Sequence, residues 1–173
     1  MATSYPRRTT TGSIWHVTDV AKNLLKHGTW PGSVGTRGIF AGGQNPSALD
    51  TIEYITISTA GDVTDFGDLT GSNFQNMHGG MASFTRGVRC GGAPRSTVID
   101  YITMASTGNA ADFGDLTQSI GYVSMASNSI RGLRAAGEMA PTTTDVIDYV
   151  TIASTGDAID FGNLLAAVGG GMA

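Results

Sequence analysis

The feature that most constrains this chain is that it writes one passage three times. TIEYITISTAGDVTDFGDL, from Thr51 to Leu69, returns as VIDYITMASTGNAADFGDL from Val98 to Leu116 and again as VIDYVTIASTGDAIDFGNL from Val146 to Leu164. Tyr54, Tyr101 and Tyr149 stand 47 and 48 residues apart, and Phe66, Phe113 and Phe161 keep the same intervals. A fixed period of this length marks a repeat architecture, in which each unit buries its apolar face against a neighbour. Motifs inside the period are therefore repeated structural solutions before they are sites.

Each unit opens on Arg-Gly and a short apolar segment: RGIFAGG from Arg37, RGVRCGG from Arg86 and RGLRAAG from Arg131. A variable loop follows, carrying Pro46, Pro94 or Pro141, and then the tyrosine strand, a turn, the Asp-Phe-Gly segment, a second variable loop and a closing Met-Ala. This pattern predicts four short strands per unit, with units at about 35–83, 84–129 and 130–173 in a β domain spanning 35–173. Along IEYITIS, Ile52 and Tyr54 fall on one face and Ile55 and Ile57 on the other. Apolar residues on both faces imply a sheet covered on both sides, as in blades stacked between blades.

Residues 1–34 read as an arm with a short helix. Thr18 suits the N-cap, Lys26 and His27 the last turn, and Gly28 a left-handed stop. Val17, Val20, Ala21, Leu24 and Leu25 give an apolar face at helical spacing. Trp15 and Trp30 flank it, so Trp15, Leu24, Leu25 and Trp30 form a candidate interface, either within the chain or with a partner.

Charged residues make up only 14% of the chain, against roughly 25% in average domains. With 25 glycines, this suits a turn-rich β protein or one covered by copies of itself. The net charge of −4 is uneven: residues 1–37 carry +4 and the remainder −8. An acidic repeat body excludes it as a nucleic-acid binder, since phosphates need a basic face. Cys90 is the single cysteine, which excludes intrachain disulfides and a cysteine metal cluster. No signal peptide or membrane span is evident, which points to synthesis in a cytoplasm and no membrane insertion.

A hydrophobic strand ending in Gly-Gly followed by an aromatic strand, in units near 50 residues, resembles kelch-type β-propeller repeats. More narrowly, RGIFAGG, IEYITIS and DFGDL resemble the kelch-like repeats of bacteriophage virion structural and tail-fibre-like proteins. The resemblance spans residues 13–173. It implies an all-β fold of three four-stranded, propeller-blade-type repeats. Two features depart from the pattern: the Asp-Phe-Gly segment stands where kelch repeats usually carry tryptophan, and three units are fewer than the four or more blades of a propeller. Two chains could complete a six-bladed ring. The alternative is a threefold β-prism or β-trefoil that closes within one chain.

Two recurring polar patterns are candidates for chemistry. Aspartates spaced by three around Asp65, Asp112 and Asp160 offer oxygen ligands beside glycine turns, as calcium sites do, but without the alternate-residue spacing of calcium loops. Backbone-bonding turn residues are the favoured reading. Arg37, Arg86 and Arg131 recur at one point of each unit, and Glu53, Asp100 and Asp148 just before each tyrosine, which predicts a repeated ion pair. Asn73, Phe74, Gln75 and Tyr122, in variable loops, are suited to sugars. No catalytic constellation rises above the repeat background, so no enzyme activity and no cofactor are expected. The expectation is a structural component of a phage virion, in a tail, fibre, baseplate or capsid decoration. It would form a homo-oligomer and contact other virion proteins. The alternative is a receptor-binding module for host surface glycans.

Overall fold

The computed structural model describes residues 36–71 and 79–169, all of them within one compact unit, Thr36–Ala173. The expected N-terminal helix, the candidate interface residues Trp15, Leu24, Leu25 and Trp30, and the loop residues Asn73, Phe74 and Gln75 lie outside the described residues. Within them the fold is all-β, with no helix and no sheet closed into a barrel.

Three antiparallel sheets follow one another along the chain. The first contains β1 (Arg37–Gln44), β2 (Ala48–Thr56) and β3 (Thr64–Asp68). The second contains β4 (Met81–Ala82), β5 (Arg86–Cys90), β6 (Ser96–Thr103) and β7 (Ala111–Ile120). The third contains β8 (Ser124–Ser127), β9 (Arg131–Ala135), β10 (Thr144–Thr151) and β11 (Ile159–Val168). Each is a simple meander in chain order.

The sheets are phased one strand away from the sequence units. Met81-Ala82 begins the second sheet, with Met81 opposite Val88, and Met125-Ala126 lies in β8 beside β9. Side-chain-capped turns tie these short strands forward. Ser83 Oγ accepts the amide of Arg86 at 3.2 Å. Asn128 Oδ1 accepts those of Ile130 and Arg131 at 2.8 and 2.7 Å.

The Asp-Phe-Gly segment is a bulged strand. Its glycines, Gly67, Gly114 and Gly162, sit at φ 145°, 147° and 140°. Each lies opposite the isoleucine two residues before a repeat tyrosine, where the register shifts. Only glycine adopts this backbone without strain, which is why the triplet returns unchanged.

The core lies between sheets. Ile52, Phe66, Leu69 and Ile102 fill the space between the first and second. Met81, Val88, Cys90, Ile99, Phe113, Leu116, Ile120, Val123, Val150 and Ile152 fill that between the second and third. On β6, Ile99 and Ile102 are buried on opposite faces, so the middle sheet is covered on both sides as the pattern requires.

Candidate assembly interface

The same junction is built twice between successive sheets, and it starts from the turn after each tyrosine strand. Gly108 N donates to Phe66 O at 2.7 Å, and Ala110 N donates to Asp68 O at 2.7 Å. One unit later, Gly156 N donates to Phe113 O at 2.7 Å and Ala158 N to Asp115 O at 2.8 Å. The residue between these donors accepts in return: Asn109 Oδ1 from Asp68 N at 3.1 Å, and Asp157 Oδ1 from Asp115 N at 3.0 Å. The turn thus docks onto the bulged strand of the unit before it.

Glycine permits this approach. A Cβ on Gly67 would stand 2.5 Å from the carbonyl carbon of Gly108, and one on Gly114 would stand 2.5 Å from Gly156 O.

Four further kinds of contact cross the junctions or support them. Arg37 Nη1 donates to Met104 O at 2.7 Å and Arg86 Nη1 to Ile152 O at 3.1 Å. Thr70 Oγ1 donates to Asp100 Oδ1 at 2.6 Å and Thr117 Oγ1 to Asp148 Oδ1 at 2.7 Å. Behind them, Tyr54 and Phe66, Tyr101 and Phe113, and Tyr149 and Phe161 meet edge to face with centroids 5.8–6.0 Å apart. The three repeat arginines lie over the tyrosine rings at 4.5–4.7 Å.

The expected ion pairs form with different arginines. Asp100 pairs with Arg89 at 3.5 Å, and Asp148 pairs with Arg134, while Arg37, Arg86 and Arg131 stack on tyrosine. Strand register explains the exchange: Arg89 lies opposite Asp100 and Arg134 opposite Asp148, whereas Arg86 faces Thr103 and Arg131 faces Thr151. In the first unit the paired positions hold Phe40 and Glu53, both exposed, so no such pair exists there. Burial pushes the Arg89 guanidinium down to about 9 against the opposing pull of Asp100, which still leaves it charged at neutral pH. Cys90 is fully buried, and desolvation raises its thiol to about 12, the state of a packing residue and not of a nucleophile.

Asp65, Asp112 and Asp160 are all exposed. Asp160 Oδ1 accepts the amide of Gly162 at 3.1 Å, which is turn chemistry. Among the described residues no group of three or more acidic, histidine or cysteine side chains could hold a metal ion. Tyr122 is half-buried at φ 54°. A cleft of about 540 Å³ between the first and second sheets is lined chiefly by apolar side chains such as Ile52 and Met81, with Arg37, Arg89 and Asp100 among them.

The ends of the array present the junction's two halves without a partner among the described residues. At the far end, Phe161 is 52% exposed, against 2% for Phe66 and 3% for Phe113, and Leu165 is fully exposed. A Cβ on Gly162 would meet nothing within 4 Å. At the near end, the Gly61–Val63 turn occupies the position of Gly108–Ala110, and Ile57, Val63 and Phe40 are exposed. The repeat count implied such ends, but the bonds that they leave open became visible only with the geometry. Searches against protein-family models and curated proteins returned no match for the chain.

Proposed function

We propose that this chain is a structural component of a bacteriophage virion, built from kelch-like, propeller-blade-type units and assembling through repeat and N-terminal contacts. The observation that carries this reading is the pair of open end faces on a stacked-sheet array. Such arrays expose apolar junction surfaces at their termini unless capped or joined to neighbours. The repeat resemblance supplies the setting, a tail, fibre, baseplate or capsid decoration, with synthesis in the host cytoplasm. Its partners are other copies of the chain and other virion proteins. Mass spectrometry of purified particles tests the proposal. A fixed copy number per particle supports it, whereas absence from particles combined with binding on a host-glycan array assigns a receptor-binding module instead.

A further inference from the structure

We propose that a second copy of this chain docks head to tail on the free face of β11, its Gly61–Val63 turn taking the place that Gly108–Ala110 and Gly156–Ala158 hold inside the chain. This deepens the assembly reading above and rests on it for the number of copies.

The residues that make the backbone half of the junction recur at both ends. The internal junctions use the carbonyls of Phe66 and Asp68 and of Phe113 and Asp115, and their counterparts on β11 are Phe161 and Asn163. The donors opposite would be the amides of Gly61 and Val63. Asp62 stands where Asn109 and Asp157 accept the returning amide, here that of Asn163. Arg131, stacked on Tyr149, makes no side-chain hydrogen bond among the described residues. Its counterparts Arg37 and Arg86 reach the carbonyls three residues beyond the next tyrosine, Met104 and Ile152. The matching carbonyl of an incoming copy belongs to Ile57.

The side chains differ at both ends in a matched way. Inside the chain, threonine, aspartate and arginine meet as Thr70, Asp100 and Arg89, and again as Thr117, Asp148 and Arg134. At the ends the threonine position holds Leu165 and the arginine position Phe40, with Glu53 between them. A polar trio has become an apolar pair beside one carboxylate, and the two apolar members belong to opposite ends of the chain. Each is exposed alone and each answers the other. A contact between different surfaces of identical chains closes into a ring or runs on as a filament. With propeller-type units, two copies give a six-unit ring, the one multiple of three within the usual four to eight blades.

Sedimentation velocity of the full chain tests the junction. The wild type is expected to sediment as a dimer, and Leu165→Glu, which sets a second carboxylate against Glu53 of the neighbour, as a monomer with unchanged circular dichroism. Adding Glu53→Lys to Leu165→Glu restores a pair across the junction and should restore the dimer. Gly162→Ala provides a second break, since its Cβ meets nothing in the single chain but would strike the incoming turn. A monomeric wild type overturns the proposal, and so does an oligomer that survives both single variants, which would place the contact elsewhere, such as in residues 1–35. In that last case the virion reading stands, because particle composition tests it separately.

Discussion

Arg134 is the largest fully buried side chain among the described residues, and it shows how charge is handled in this fold. Its guanidinium donates to Asp148 and to the carbonyls of Ala136 and Val146, at 3.3 and 3.2 Å, while Asp148 also accepts from Thr117. A buried charge with its partner removed typically costs about 3–5 kcal/mol, whereas an apolar replacement of both partners is often near neutral. Asp148→Leu should therefore lower unfolding free energy by about 3–5 kcal/mol in urea titration. Arg134→Met added to it should recover most of that loss, short of the unmatched Thr117 hydroxyl. A double variant as unstable as the single one would show that the aspartate acts through Thr117 alone. The sequence made the acid of this pair legible and not the base. Arg131 and Arg134 both precede Asp148 at plausible distances, and only the hairpin register places Arg134 opposite it. That register is the same in all three hairpins, but the loop between the partners differs in length in every unit, so sequence separation alone does not reveal it.

At the scale of elements, strand identity was readable because the tyrosine strand and the Asp-Phe-Gly triplet both repeat. What was not readable was where a sheet begins. Met81-Ala82 closes a repeat in sequence yet opens a sheet in space, because Ser83 caps a tight turn that folds it onto β5. The acidic turns carried a similar ambiguity. Asn109 and Asp157 bond backbone amides, as turn residues do, but the amides belong to the preceding unit and not to their own turn. The glycine between strand and junction gives a controlled test of this arrangement. Gly114 and Gly162 share nearly the same φ, 147° and 140°, so alanine strains the backbone about equally at both. Only at Gly114 does the new Cβ strike a docked turn. Measured in the Leu165→Glu background, where the chain is single, Gly114→Ala should destabilise by about 1–3 kcal/mol more than Gly162→Ala, the usual cost of overpacking. Equal losses would mean that backbone strain alone makes glycine necessary.

For the whole molecule, the core lies in the seams between sheets and not inside any one of them, so stability depends on how many seams are closed. The single chain closes two, one centred on Phe66 and one on Phe113, and leaves Phe161 at a third that is open. If copies meet there, folding and association become one equilibrium, and melting must depend on concentration. For a dimer unfolding to two chains, each tenfold increase in concentration is worth about 0.7 kcal/mol per protomer, half of the roughly 1.4 kcal/mol in a tenfold change of equilibrium constant. In a domain of this size that raises Tm by roughly 2 °C. Calorimetry over a hundredfold range should therefore move the wild-type transition upward by roughly 4 °C. The Leu165→Glu transition should stay fixed and lie below it. The ordering of the two proteins carries as much weight as the slope. Leu165 is fully exposed in the single chain, so its replacement removes no packing within the chain, and a lower Tm beyond the small strand-propensity cost of glutamate reports the loss of a neighbour. A wild type whose Tm is independent of concentration and equal to that of the variant would show that the third seam stays open.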